Sequence, residues 1–162
     1  MSLKTKLVPS GSGPAYWGPG DQVTFLLTGN DTGGALFLCE VSVPPLGGPP
    51  PHIHHREDES LFVIEGEITF QLAAERFHAS AGDLVYVPRG TVHSFQNTGQ
   101  NRAKMLVLST PAGLEKFFEE AFVPAQDSNA DPPLITDEMM ARLLTVAPVH
   151  GLEMVLHAPA AS

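Results

Sequence analysis

Gly47-Gly48-Pro49-Pro50-Pro51-His52-Ile53-His54-His55-Arg56-Glu57-Asp58-Glu59, closed by Gly66, is the stretch whose reading decides the fold. A second stretch answers it: Gly82-Asp83-Leu84-Val85-Tyr86-Val87-Pro88-Arg89-Gly90-Thr91-Val92-His93, closed by Asn97. Side chains two apart on a strand share a face, so His52 and His54 aim two imidazoles at one point while Ile53 faces away. Glu59 follows the charged turn Arg56-Glu57-Asp58, opens the next strand and can return beside the histidines. Leu61 and Val63 share its face by the same period. His93 is distant in sequence, but a closed sheet can bring its strand back beside the first. His52, His54, Glu59 and His93 are therefore the candidate metal ligands. Three imidazoles and one carboxylate hold a single divalent transition metal and leave coordination positions free for chemistry. A lone histidine is usually a core or surface residue; four donors framed at these spacings rarely arise by chance.

Working outward, the chain from 22 to 109 reads as short strands separated by turn residues. Gln22 to Thr28 and Ala35 to Val43 are β-branched and aromatic runs, joined as a hairpin through Gly29-Asn30-Asp31-Thr32-Gly33-Gly34. Pro44 to Pro51 is a stiff connection, because proline fixes φ and donates no ladder hydrogen bond. Glu59 to Ile64, Glu67 to Leu72, Asp83 to Val87, Val92 to Gln96 and Lys104 to Ser109 have strand length and composition. Strands at this spacing predict an all-β sandwich or barrel. Residues 1–21 read as an irregular N-terminal arm and 22–110 as the β domain, with 111–162 a helical extension of that same domain.

In that extension Thr110 is expected to cap a helix with Pro111 at its first position. Leu114, Phe117, Phe118, Ala121 and Phe122 recur at helical spacing, as helix-to-sheet packing requires. A polar, proline-bounded linker, Pro124 to Pro133, precedes a second helix capped by Thr136, with Asp137 and Glu138 in its first turn. Its stripe is Met140, Leu143, Leu144 and Ala147, and Pro148 is expected to end it. Both helices are expected to pack on the outside of the β domain.

Composition narrows the function classes. Gly and Pro number 15 each among 162 residues, above average usage, and are scattered as turns rather than gathered in a disordered tract. A net charge of −9 argues against nucleic acid and anionic membrane as partners. The single cysteine, Cys39, rules out an intramolecular disulfide framework and fits a reducing compartment. No apolar stretch approaches the ~18 residues of a membrane span, and Met1 to Trp17 lacks a signal-peptide core. A cytoplasmic protein is expected.

The two stretches resemble the two motifs of the cupin superfamily. In the first, G-x5-H-x-H-x3,4-E-x6-G, His52, His54, Glu59 and Gly66 match; Gly47 stands one residue too close and position 46 holds no glycine. In the second, G-x5-P-x-G-x2-H-x3-N, Gly82, Pro88, Gly90, His93 and Asn97 all match. The resemblance covers about residues 35–110. It implies a double-stranded β-helix barrel with the metal inside. Tyr16-Trp17-Gly18-Pro19-Gly20-Asp21, the Gly-Pro lead into His52 and His150-Gly151-Leu152-Glu153 look like single-domain quercetin 2,3-dioxygenase-like cupins.

The leading expectation is a metal-dependent dioxygenase acting on a small oxygen-bearing organic substrate, which the resemblance implies to be a flavonol or related polyphenol. Glu59 is both ligand and candidate catalytic base, and Leu61 and Phe95 are candidate pocket-lining residues. The ion can be Fe, Mn, Ni, Co, Cu or Zn, because a His₃Glu set accommodates them all. Two alternatives stay open: a non-catalytic metal- or small-molecule-binding protein, and a metal-dependent isomerase, decarboxylase or hydrolase. By strand parity His55 points outward, Cys39 is a small buried hydrophobe, and Tyr86 packs in the core between Val85 and Val87. His78, His150 and His157 are expected at the surface. Ala35-Leu36-Phe37-Leu38-Cys39 is apolar on both strand faces, so a homodimer that covers the outer face is expected.

Overall fold

Alternation of apolar and polar side chains decides which face each strand buries, and the structure follows that alternation closely. It is a computed structural model and describes residues 3–126 and 130–155. Strands β1 (Ala15–Trp17) and β2 (Gln22–Leu27) form a hairpin, and a one-turn helix, α1 (Gly29–Thr32), leads into β3 (Phe37–Val43). Next come β4 (His52–His54), β5 (Asp58–Glu65), β6 (Glu67–Leu72), β7 (Glu75–Ser80) and β8 (Leu84–Val87). Then follow β9 (His93–Asn97), β10 (Ala103–Thr110), α2 (Leu114–Ala121) and β11 (Val123–Pro124). Helix α3 (Asp137–Val146), a 3₁₀ turn (Ala147–His150) and β12 (Leu152–Met154) complete the described chain.

The strands form two antiparallel sheets, in the orders β11-β1-β2-β3-β10-β5-β8 and β12-β4-β9-β6-β7. Hydrogen bonds join strands within each sheet, so the described architecture is a mostly-β, two-sheet sandwich. Its core lies between the sheets. On β10, Ala103, Met105, Val107 and Ser109 are buried in alternation. On β3 the partners Phe37, Cys39, Val41 and Val43 face the same way. Each fully buried Val, Leu, Ile or Phe contributes roughly 1.5–3 kcal/mol. The motif residues outside the cluster hold turns. Buried Asn97 donates to the Val43 and Asn101 carbonyls (2.8 and 2.7 Å) and accepts from Gly99 N–H (2.9 Å). Gly66, at φ 81°, turns β5 into β6, where a Cβ would stand 2.8 Å from Ala103 Cβ.

Several elements depart from the sequence reading. The N-terminal arm is not irregular throughout: β1 pairs with both β2 and β11, and Trp17 is buried. Three residues between Pro14 and Gly18 are too few to show a period. Strand β7 gave no sequence signal because only Ala79 among its side chains is buried. Tyr86 is 57% exposed instead of packed in the core, since it stands opposite outward-facing Ser60 on β5. Thr110 does not cap a helix, because the ladder with Asp58 keeps it as the last residue of β10. Helix α2 instead begins after Gly113, whose N–H donates to Glu115 Oε2 (2.8 Å), while Glu115 Oε1 accepts from Gly29 N–H (2.8 Å). At α3 the expected cap is present, with Met139 N–H donating to Thr136 Oγ1. Leu143 and Ala147 are buried, but Leu144 of the expected stripe is 39% exposed. Helix α3 ends at Val146, just before Pro148 as expected, but the chain continues into the 3₁₀ turn, which takes Pro148 near its start, where the missing N–H costs nothing. Of the linker, positions 127–129 lie outside the described residues, as does His157. No described helix is long and apolar enough to cross a membrane.

Candidate metal centre

Strand pairing assembles the cluster. In one sheet β4 pairs with β9 so that His52 stands opposite His93, and the Gly90 N–H donates to the His54 carbonyl (2.8 Å). Glu59 comes from β5 of the facing sheet. The four side chains are all buried, and one donor atom from each lies within 4.8 Å of every other. Sequence reasoning named these four, and the fold brings them together.

The imidazoles are held from behind. His52 Nδ1 lies 2.8 Å from the Pro50 carbonyl, and His93 Nδ1 lies 2.9 Å from the Thr91 carbonyl. A carbonyl oxygen accepts only, so in each neutral ring Nδ1 carries the hydrogen and Nε2 presents a lone pair. His93 Nε2 then faces Glu59 Oε2 at 3.0 Å, and His54 Nε2 faces the same oxygen at 3.4 Å. On its other side His54 Nδ1 is 3.6 Å from Glu57 Oε2, and neither of those two atoms has a hydrogen-bond partner among the described residues. Lone pairs converging on a buried carboxylate repel one another unless a cation lies between them. Ligands about 2.1 Å from one ion stand about 3.0 Å apart when adjacent and about 4.2 Å apart when opposite. The cluster is on that scale, and it is compatible with a single metal ion.

Electrostatics sharpen the same picture. Burial opposes ionisation of Glu59, but the imidazoles of His54, His93 and His52 outweigh it and bring its carboxyl down to about 2. Burial, then His93 and His54, push His52 down to about 3, which keeps it neutral and able to ligate. For His54 burial lowers the pKa, while Glu59 and Glu57 raise it above the ordinary value.

The cluster opens into a cavity of about 70 Å³. Leu61 and Phe95, the expected lining residues, line it. So do residues that sequence reasoning assigned to ordinary packing: Phe117 and Phe118 of α2, Phe122, and Leu143 of α3. Helices expected merely to cover the outside thus form one wall of the cavity. Their helical spacing signalled a buried stripe but not what it would face. Cys39 also lines the cavity as the expected small hydrophobe, its thiol pushed up by burial, then by Glu59 and Asp21. Two carboxylates were missed. Glu57 is one of four charged residues in a row, Arg56 to Glu59, and composition does not say which of them turn inward. Asp21 lines the cavity at 7% exposure, and burial raises its pKa to about 7. Tyr86 does not line the cavity. His55 is exposed and lies 2.8 Å from Glu153, and His78 is exposed beside Thr69. His150 is less exposed than expected, lying against the Phe117 ring at 6.4 Å and near Glu120.

Comparison with known proteins places these features. Residues 39–109 match the family described as Cupin domain. The quercetin 2,3-dioxygenase of Bacillus subtilis (strain 168) is 26% identical over 133 residues, covering 82% of this chain and 39% of that protein. The acireductone dioxygenase of Sulfurihydrogenibium sp. (strain YO3AOP1) is 36% identical over 72 residues, 41% of this chain and 40% of that one. Among solved structures, a "predicted oxalate decarboxylase" of Thermotoga maritima superposes with a TM-score of 0.61 at 20% identity. That match covers 66% of this chain and 99% of the other, and it speaks to the fold alone. The chain spans between 34% and 59% of the length of the curated relatives it matches.

Proposed function

We propose that the cupin domain carried by residues 39–109 binds one divalent transition metal through His52, His54, Glu59 and His93. We propose further that it serves as a dioxygenase for a small oxygen-bearing organic substrate. The observation that carries this reading is the convergence of imidazole lone pairs and one carboxylate inside a mostly apolar cavity. The two dioxygenase relatives support the reaction class. A bound ion would supply Lewis acidity and a meeting point for substrate and O₂.

The chain's own residues do the rest. The Pro50 and Thr91 carbonyls hold the outer nitrogens of His52 and His93 and so fix which nitrogen faces inward, while Glu57 stands 3.6 Å behind His54 Nδ1. Glu59 accepts a proton from a substrate hydroxyl when the enolate or catecholate form is needed. Leu61, Phe95 and the Phe117–Phe118–Phe122 wall exclude water, which strengthens every charge interaction inside.

Cavity size bears on the substrate. Drug-sized ligands occupy sites of roughly 300–1,000 Å³. The space of about 70 Å³ fits a compact enediol or a single catechol-type ring. A three-ring flavonol would need room beyond it. The test is element analysis of protein purified without chelator or affinity metal, then O₂ uptake over flavonols, catechols and acyclic enediols. Uptake with a compact substrate, reduced further than metal content by Glu59→Gln, supports the reading. A fully metallated protein inert over the whole panel turns it toward an isomerase, a decarboxylase or a binding protein.

A homodimer belongs to the same proposal. The outer face of β3, β10, β5 and β8 places Leu38 beside Leu108, Leu106 beside Phe62 and Phe62 beside Leu84. Phe62 and Leu84 are exposed, and a second copy would cover them. Light scattering decides it: twice 17.3 kDa supports the dimer, and 17.3 kDa rejects it.

A further inference from the structure

Asp21 ends the turn of the β1–β2 hairpin, where its carbonyl accepts from the Gly18 N–H (2.9 Å). Two residues on, Val23 shares its strand face, and both line the cavity that holds the His/Glu cluster. The carboxyl of Asp21 takes part in no hydrogen bond and no ion pair with any described residue. No Lys or Arg among the described residues lines the cavity to offer it a cation, and the nearby Cys39 thiol is held protonated. Burying a carboxyl without a partner costs stability, and an apolar residue would satisfy the fold better. Folding therefore gives no reason for an aspartate here. A ligand does.

We infer that Asp21 is a specificity-determining residue: it binds a hydroxyl group of the substrate remote from the oxygens held at the His/Glu cluster. The inference rests on the proposed reading of that cluster and narrows its substrate class. Such a substrate is a compact molecule with two polar ends, an enediol or catechol head toward the cluster and a further hydroxyl toward Asp21. Apolar side chains such as Val23, Leu61 and Phe95 make up most of the rest of the lining. A neutral hydroxyl suits this position better than an amine, which would bring a second cation into a cavity built around a divalent ion.

The test uses metal-loaded protein without O₂, so that probes bind and are not consumed. Binding of catechol is compared with binding of pyrogallol and hydroxyquinol, which add one ring hydroxyl at different positions. In the unaltered protein at least one triol binds about tenfold or more tighter than catechol. In Asp21→Leu that preference vanishes while catechol affinity is retained, and Asp21→Asn keeps part of it through its amide oxygen. Both variants melt at or above the temperature of the unaltered protein. A preference that survives Asp21→Leu, or no preference at the outset, overturns the role of Asp21 alone. Lower melting temperatures in both variants make the carboxyl structural and also overturn it. Failure of catechol itself to bind overturns the reading of the cluster, and the inference falls with it.

Discussion

Two carboxylates line one cavity, and they are shifted in opposite directions. Glu59 stands among three imidazoles, and its carboxyl is brought down to about 2. Asp21 stands among apolar side chains, and burial alone lifts its carboxyl to about 7. Both are buried to nearly the same degree. Burial raises both carboxyls, and only at Glu59 do neighbours supplied by other strands reverse it. At the Glu59 end His52 and His93 are each braced by a backbone carbonyl, as a fixed ion site requires. At the Asp21 end nothing among the described residues braces the carboxyl.

The largest effect that would break this contrast is at the cluster. His93→Ala removes a ring that faces Glu59 at 3.0 Å, and metal content should fall from about one per chain to near none. The protein should remain a folded β-protein by circular dichroism. Full stoichiometry in that variant would show that the ion is held elsewhere.

The Asp21 end predicts a pH dependence of opposite character. Its folded pKa, about 7, lies above its ordinary value of 3.8, so the folded chain binds more protons than the unfolded one between those values. Stability lost through this group is therefore nil below pH 4, grows between pH 4 and 7, and is complete above pH 7. A shift of that size corresponds to at most about 4 kcal/mol. Asp21→Asn should be more stable than the unaltered protein above pH 7 and nearly equal to it at pH 4, by urea titration. A constant difference across that range would remove the titration from the account.

A smaller effect tests the bracing itself. Glu57→Ala leaves His54 Nδ1 without its carboxylate, and metal affinity should fall about 10- to 100-fold, read by competition with a chelator. Unchanged affinity would mean that His54 is oriented by its strand alone. Smallest is the cap of α3. Thr136→Ala should lower stability by about 1 kcal/mol and leave metal affinity unchanged. If metal affinity falls too, the helical wall and the cluster are coupled.

Legibility in the sequence followed locality. His52 and His54 could be placed on one face because period two is a property of any strand. Thr136 could be read as a cap because its partner, Met139, is three residues away. Thr110 was misread by the same rule, since a ladder to Asp58, far away in sequence, outweighed the local preference. Tyr86 was misread because alternation says which residues share a face but not which face meets the core. Strand β7 was invisible because an edge strand with one buried side chain has no apolar pattern to show.

By itself, then, the sequence determined the donor set, its spacing and the all-β class, because these rest on side-chain chemistry and on repeats of two within a few residues. Only the tertiary structure decided that α2 and α3 wall the cavity, that Glu57 turns inward behind His54, and that Asp21 is buried without a partner. Each of those facts depends on what other parts of the chain place nearby. A residue's charge and role are set by neighbours in space, and neighbours in space are what folding supplies.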